Sequence, residues 1–132
     1  MAKLTAEMKE TIEKAGVVAV ATATGGGEPN VAAIAFVKIL SDDELLMMDN
    51  FMLKTRQNME ANPRIAVAAW ADHSGYQFKG TARIETSGKV FEDGVAWVKS
   101  VAPPLDPKAA VILKVDEIFV GSGGPDAGKK IA

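Results

Sequence analysis

The sequence predicts a mainly β fold, a small six-stranded antiparallel β-barrel with about three short helices over its openings. The first three apolar segments, residues 17–23, 30–40 and 45–48, are separated only by short polar turns. Strands joined this closely must be antiparallel, because a parallel pair needs a long crossover. The later segment 76–86 largely alternates between apolar and polar residues, which is typical of a strand with one buried face.

The first predicted element is an amphipathic helix over residues 5–15. Thr5 can cap its N-terminus and Gly16 is a natural stop. The other predicted elements are strands over residues 17–23, 30–40, 45–48, 65–71, 76–86 and 109–120, and helices over residues 54–61 and 89–101. Gly94 weakens the last of these helices, because glycine is a poor helix former.

The chain of 132 residues is expected to form one domain, since it is long enough for one core but not for two. We predict that this domain covers residues 1–120. Residues 121–132 are rich in Gly, Pro and Lys. We therefore expect this tail to be loosely held.

The composition argues against several classes of protein. The net charge is −2 and no basic stripe is visible, so we expect no nucleic-acid binding. The absence of cysteine excludes disulfides, thiolate metal sites and cysteine nucleophiles. The apolar runs are too short to span a bilayer, and the N-terminus has no signal core. We therefore expect a cytoplasmic protein without a membrane partner.

No side chain is a convincing catalytic acid, base or metal ligand. His73 is the single histidine, and its position in a turn predicts a solvated side chain. The segment 123–130 imitates a P-loop, but its last residue is Lys and too little chain follows to form the required helix. We therefore predict no catalytic side chain and no metal site.

The junction between the strand at 45–48 and the helix at 54–61 is a candidate phosphate site. A helix N-terminus offers unpaired N–H groups and the positive end of the helix dipole. Lys54 adds a mobile charge, Thr55 a hydroxyl donor and Arg56 a rigid fork. From spacing alone, an ordinary solvated first turn of a helix explains the same residues, and this alternative stays open.

Three stretches carry a resemblance to a known family. They are residues 16–22 (GVVAVAT), residues 53–59 (LKTRQNM) with the following 62–67 (NPRIAV), and residues 76–82 (YQFKGTA). In this order they resemble the FMN-binding split-barrel family, which includes pyridoxamine 5'-phosphate oxidase and the small FMN-binding proteins. The resemblance covers roughly residues 4–120. It implies a split Greek-key barrel and a homodimer that binds FMN in clefts between its subunits.

The resemblance also implies which residues bind the cofactor. The family's phosphate-binding pair matches Lys54 and Thr55, with Arg56 assisting. Strand contacts to the ring and ribityl chain fall on Val31, Ala32, Ala33, Met48, Asp49 and Asn50. A partner subunit is expected to contribute near residues 103–106, where Leu105 is the candidate, and Trp97 is a further one.

Two functions follow as hypotheses. The first is hydride or electron transfer by bound FMN, with NAD(P)H or a redox protein as partner. The alternative is a non-catalytic module of the same fold that holds FMN, a deazaflavin or heme. The additional basic substrate residues of pyridoxamine phosphate oxidases are missing here, so the sequence does not predict that activity. A third possibility is a structural protein without a cofactor.

Overall fold

The computed structural model of the chain describes residues 2–132. Within that range it contains three α-helices and seven β-strands. The helices are α1 (Ala6–Ala15), α2 (Lys54–Ala61) and α3 (Lys89–Val101). The strands are β1 (Val18–Ala23), β2 (Pro29–Ile34), β3 (Val37–Ser41), β4 (Glu44–Asp49), β5 (Arg64–Ala71), β6 (Ser74–Glu85) and β7 (Ala109–Val120).

The strands form one antiparallel sheet in the order β2-β1-β5-β6-β7-β4-β3. The mainly β class and the three helices are therefore confirmed, but the prediction of six strands is wrong. The predicted strand over residues 30–40 is two strands, because the chain changes its pairing partner at residues 35–36. β2 pairs with β1, whereas β3 pairs with β4 at the opposite end of the sheet.

This change of partner curls the sheet into a half-barrel. β2 and β3 are the first and last strands of the sheet, and only two residues join them. The Phe36 carbonyl accepts a hydrogen bond from the Met48 N–H at 3.0 Å, which directs the chain onto β4. A β-bulge at Gly80 bends β6 further, and a Cβ there would collide with the Lys114 carbonyl oxygen.

The interior of the half-barrel is a continuous apolar core, and α1 closes one end of it. Its fully buried side chains include Val20, Leu45, Met47, Val67, Phe78, Val111 and Leu113. α1 contributes Met8 and Ile12. The helix begins at the predicted cap, where Thr5 Oγ1 accepts the Met8 N–H at 3.2 Å. It ends at Gly16, whose φ of 72° favours glycine.

A second apolar cluster lies between α3 and the outer face of the sheet. It joins Val98 of α3 to Leu46 and Met48 of β4 and to Ile112 of β7. Because α3 covers this face, β4 is buried on both sides. Gly94 permits the close approach, since a Cβ there would collide with Met48 Sδ. Gly94 lowers the helix propensity of this segment, but it also allows α3 to pack closely against β4.

The tail runs back along β7. The Ile131 N–H donates to the Ile118 carbonyl at 2.8 Å, and the Val120 N–H donates to the Lys129 carbonyl at 2.9 Å. The side chains of residues 123–132 are nevertheless exposed. The loosely held tail stays a prediction.

None of the helices between residues 2 and 132 combines the length and the apolar character that crossing a membrane requires.

Candidate functional site

A buried carboxylate holds the turn between β4 and α2. Asp49, the last residue of β4, is 1% exposed. Its Oδ1 accepts a hydrogen bond from the Met52 N–H at 2.9 Å, and Arg56 Nη1 donates to its Oδ2 at 3.4 Å. These two bonds offset the cost of burying the carboxylate. The side chain of Asp49 therefore shapes the turn that leads into α2.

The first turn of α2 presents free backbone N–H groups. Leu53, the residue before the helix, has a φ of 47° and provides no side-chain cap. The Thr55 N–H is bonded to the Met52 carbonyl at 3.0 Å, but within the described chain the N–H groups of Lys54 and Arg56 have no backbone acceptor. These two groups lie at the positive end of the helix dipole and are available to an anion.

Two cations project from the same turn and differ in their surroundings. Arg56 lies 3.4 Å from Asp49 and 3.8 Å from Glu60, so two carboxylates share its charge. The Lys54 side chain is exposed, and no carboxylate of the described residues pairs with it. Lys54 is therefore the cation of this turn whose charge is left to a ligand or to solvent.

Four polar side chains, which we call the polar anchor, hold α2 against β1 and β2. Asn30 Nδ2 donates to Thr22 Oγ1 at 3.1 Å and to Thr55 Oγ1 at 3.0 Å. Asn58 Nδ2 donates to Thr22 Oγ1 at 3.0 Å. Thr22, Thr55 and Asn58 are buried. Thr55 therefore sits under the helix rather than on its surface, although its hydroxyl hydrogen can still be donated.

A cavity of about 270 Å³, the apolar slot, opens beside this turn. It is lined by Ala32, Ala33, Ile34, Ala35, Phe36, Met48, Asn50, Phe51, Met52 and Leu105. Asn50 is the one lining residue with a polar side chain. Phe36 packs edge-on against Trp97, with ring centroids 5.4 Å apart, and this contact backs one wall. The slot thus offers a mostly apolar surface beside small side chains.

A second cavity of about 490 Å³, the polar cavity, adjoins the slot. It is lined by Asp49, Asn50, Phe51, Met52, Leu53, Arg56, Gln57, Glu60 and Lys108, so the two cavities share residues 50–52. Lys108 Nζ donates to the Asn50 carbonyl at 2.8 Å and lies 5.4 Å from the centre of the Phe51 ring. The apolar slot is thus continuous with the polar cavity, which has charged lining residues, at the start of α2.

A third cavity, the β2 groove, lies on the outside of the edge strand. It has a volume of about 470 Å³ and is lined by Ala15, Val17, Val18, Ala19, Val31, Ala32, Ala33 and Trp70. Three large apolar side chains are unusually exposed here: Val17 at 48%, Val31 at 68% and Trp70 at 60%. Only Ala32 and Ala33 belong to both the groove and the slot.

The predicted site residues fall into four places. Ala32, Ala33, Met48, Asn50 and Leu105 line the apolar slot. Asp49 and Arg56 line the polar cavity, and Val31 faces the β2 groove. Lys54 and Thr55 line none of these three cavities. The structure thus brings most of the predicted residues around two adjoining cavities, and their contact with a cofactor stays a prediction.

Sequence reasoning missed several residues of this region. Asn30 and Thr22 lie opposite each other on β2 and β1, and their pairing appears only once the register is known. Phe36 and Phe51 line the slot from irregular segments, where no periodicity marks a side chain. Lys108 follows an extended connector and reaches Asn50 across 58 positions of sequence, which no local signal indicates.

Comparison with known proteins identifies the family. The family model of pyridoxamine 5'-phosphate oxidase matches residues 4–120. An uncharacterized protein of Methanocaldococcus jannaschii is 41% identical over 133 residues, which cover 98% of this chain and 89% of that protein. The crystal structure of HupZ from Group A Streptococcus has a TM-score of 0.81 and 33% identity, over 94% of this chain and 98% of that one.

More distant structures share the fold alone. An FMN-binding protein of Syntrophomonas wolfei has a TM-score of 0.69 and 17% identity, over 87% of this chain and 88% of that one. The heme storage protein HutZ of Vibrio cholerae has a TM-score of 0.68 and 17% identity, over 92% and 98%. An F420 reductase is also among the neighbours. The family resemblance is confirmed: the chain belongs to the pyridoxamine 5'-phosphate oxidase family of FMN-binding split-barrel proteins.

Proposed function

We propose that this protein binds FMN and acts in hydride or electron transfer. The observation that carries the proposal is the junction of the apolar slot with the polar cavity at residues 50–52. A flavin mononucleotide has the same division, with a flat ring at one end and a phosphate at the other. Mostly apolar cavities with a few placed polar groups are typical cofactor sites.

The slot suits the ring. One wall of the slot has small side chains, which leave space for a ring: Ala32, Ala33 and Ala35. Apolar contact surface comes from Phe36 and Met48. A flat aromatic ring entering this space replaces water against these walls, which is favourable in proportion to the apolar area covered. The chain's contribution at this end is therefore to hold the ring and to exclude water.

The start of α2 suits the phosphate. The free N–H groups of Lys54 and Arg56, the unpaired Lys54 ammonium and the Arg56 guanidinium all lie on its first turn. Charge-assisted bonds from such groups are among the strongest that a protein offers an anion. The polar anchor fixes this turn through Thr55 before a ligand arrives.

The β2 groove supports a homodimer. β2 is an edge strand, and its exposed Val31 lies beside Val17 and Trp70. An exposed edge with an apolar patch is a typical site of association. In our proposal a second copy covers this groove, so that FMN lies close to the subunit interface.

Bound FMN would supply the redox chemistry, while the protein supplies orientation and electrostatics. NAD(P)H or a redox protein remains the partner that we propose.

The second candidate is a non-catalytic module that holds heme or a deazaflavin. Its support is the fold shared with a heme storage protein and an F420 reductase. For heme, the single histidine is poorly placed, because His73 is exposed in the turn between β5 and β6 and lines neither the slot nor the polar cavity. Met48 and Met52 are the slot residues with a sulfur that could ligate iron.

A titration of the apoprotein with FMN, riboflavin, F420 and heme in parallel tests the choice. We expect FMN to bind most tightly and riboflavin to bind more weakly, because riboflavin lacks the phosphate. Tighter binding of heme or F420 than of FMN would replace the first candidate by the second. Binding of none of the four would remove both.

A further inference from the structure

Asn50 carries a buried amide oxygen without a hydrogen-bond partner. The residue is 9% exposed, and its Oδ1 is the one buried side-chain nitrogen or oxygen between residues 2 and 132 that makes no hydrogen bond. No hydrogen bond of the described chain uses its Nδ2 either. The buried Oδ1 has lost its bonds to water, so leaving this acceptor unpaired is unfavourable.

The backbone around Asn50 is fixed, which leaves only the side chain free to pair. Lys108 Nζ donates to the Asn50 carbonyl at 2.8 Å, and the Lys108 N–H donates to the Asp49 carbonyl at 2.7 Å. On the other side, the Met52 N–H is bonded to Asp49 Oδ1 at 2.9 Å. Asn50 is therefore held from both sides while its amide stays uncommitted.

The position of Asn50 indicates where a partner would come from. The residue lines both the apolar slot and the polar cavity, and every other side chain around the slot is apolar. The side chains of the other lining residues therefore offer the amide no hydrogen-bond partner. Rotation about χ2, which is a soft torsion in asparagine, turns either Oδ1 or Nδ2 toward the slot.

We propose that the Asn50 amide recognises the lactam edge of a planar heterocycle in the slot, that is, an N–H beside a C=O. An amide presents one acceptor and one donor side by side, and such pairs read complementary edges of heterocycles in a bidentate manner. This inference rests on the proposed function. In FMN the matching edge is the N3–H of the pyrimidine ring with a neighbouring carbonyl.

The proposal separates two classes of ligand. Flavins and deazaflavins both carry this lactam edge, whereas a porphyrin has none. Asn50 therefore acts as a specificity residue that favours flavin-type rings over heme. Its replacement weakens the binding of the first class selectively.

The test is a double-mutant cycle in which one change is made in the protein and the other in the ligand. Fluorescence titration measures the Kd of each of the four pairs. FMN and FMN methylated at N3 are bound to the wild type and to Asn50→Leu, a variant of similar size without polar groups. We expect N3-methylation to weaken wild-type binding about tenfold or more. We expect Asn50→Leu to bind FMN about tenfold more weakly and to show no further loss with the methylated ligand.

Two further variants complete the design. Asn50→Asp keeps an acceptor at the same place and covers the case in which the leucine variant does not fold. It should retain part of the discrimination against N3-methyl FMN. Gln77→Leu removes an exposed amide on β6 and should respond to methylation as the wild type does.

The outcomes distinguish this inference from the proposed function. If the wild type binds FMN but methylation and the loss of Asn50 act additively, the lactam contact is wrong and the flavin proposal survives. If the wild type binds neither form of FMN, both proposals are overturned.

Discussion

Individual side chains determine how strongly the first turn of α2 can bind an anion. Arg56 is already shared between Asp49 and Glu60, whereas no carboxylate between residues 2 and 132 pairs with Lys54. A cation without a protein partner gains more from a phosphate than one that must leave existing contacts. At this scale, Lys54 is the residue on which FMN affinity should depend most.

Replacement of Lys54 by alanine should weaken FMN binding by about 1–3 kcal/mol, because a charge-assisted bond to the phosphate is lost. Riboflavin binding should change little, since riboflavin has no phosphate. Calorimetric titration of both ligands measures the effect. Lys3→Ala, which removes an exposed lysine near the N-terminus, is the matched control. An unchanged Kd for FMN in Lys54→Ala would contradict the phosphate site.

Glu44 and Arg83 form an ion pair between β4 and β6 that makes stability depend on pH. Arg83 Nη1 lies 3.0 Å from Glu44 Oε2, and its hydrogen bond is the main reason that the pKa of Glu44 is lowered. Desolvation of Glu44 opposes this effect. A lowered pKa in the folded state stabilises the protein above the unfolded value of 4.5, and this contribution is lost as the pH falls through the folded pKa.

The variant Arg83→Gln should therefore be less stable than the wild type by about 0.5 kcal/mol at neutral pH, since Arg83 is half exposed and water screens the pair. The difference should be smaller at about pH 3 than at neutral pH, because Glu44 gains its proton as the pH falls through its lowered pKa. Urea unfolding at the two pH values measures it, with Arg83→Lys as the control that keeps the charge. A difference that stays constant with pH would show that packing, not charge, is responsible.

At the scale of elements, the contact between α3 and β4 links the outer cluster to the apolar slot. Gly94 lies against Met48, and Met48 also lines the slot. An added methyl group at Gly94 favours the helix intrinsically by about 1 kcal/mol. It also collides with the buried Met48 side chain, and overpacking costs about 1–3 kcal/mol.

We therefore expect Gly94→Ala to lower the free energy of unfolding by about 0–2 kcal/mol, the overpacking cost less the helix gain, and to weaken FMN binding by displacing Met48. Chemical denaturation and an FMN titration measure the two effects. Gly123→Ala, at a glycine with open space around it, is the control. A stabilised Gly94→Ala variant would mean that Met48 moves aside at no cost.

Most elements were predictable from local pattern, and the exceptions have physical reasons. α2, α3 and β7 have the bounds that periodicity predicts, and the Thr5 cap and the Gly16 stop mark α1 as expected. The break of the second strand at residues 35–36 was not predictable, because an apolar run looks the same whether or not it changes its partner. Gly94 was ambiguous in a similar way. A glycine in a predicted helix can mark a weak point of the helix or a place where another element packs closely, and the sequence does not distinguish the two.

Local pattern predicted the candidate site only at the start of α2, and the family resemblance pointed to slot residues such as Ala32, Met48 and Asn50. Lys54, Thr55 and Arg56 mark the start of a helix, which a local motif can indicate. Long-range contacts decide the rest: the burial of Thr55 depends on Asn30, and the turn at Asn50 depends on Lys108. Such contacts need the register of the sheet, which one sequence does not specify.

At the scale of the whole molecule, association through the β2 groove should complete the site. Trp70→Glu places a charge in the exposed apolar patch and should shift a dimer to the monomer, because burying an unpaired charge is costly. Analytical ultracentrifugation measures the mass, and an FMN titration follows its effect on affinity. Ile131→Glu, a change at an exposed apolar residue of the tail, is the control. An unchanged mass in Trp70→Glu would place the interface elsewhere.

The central claim, that this chain is a flavoprotein, is tested most directly by the visible absorption spectrum of the purified protein and the mass of what heat releases from it. We expect the two bands of a flavin and the mass of FMN, either on purification or after FMN is added. A sharp heme band, the single band of a deazaflavin, or a colourless protein that takes up no FMN would contradict it.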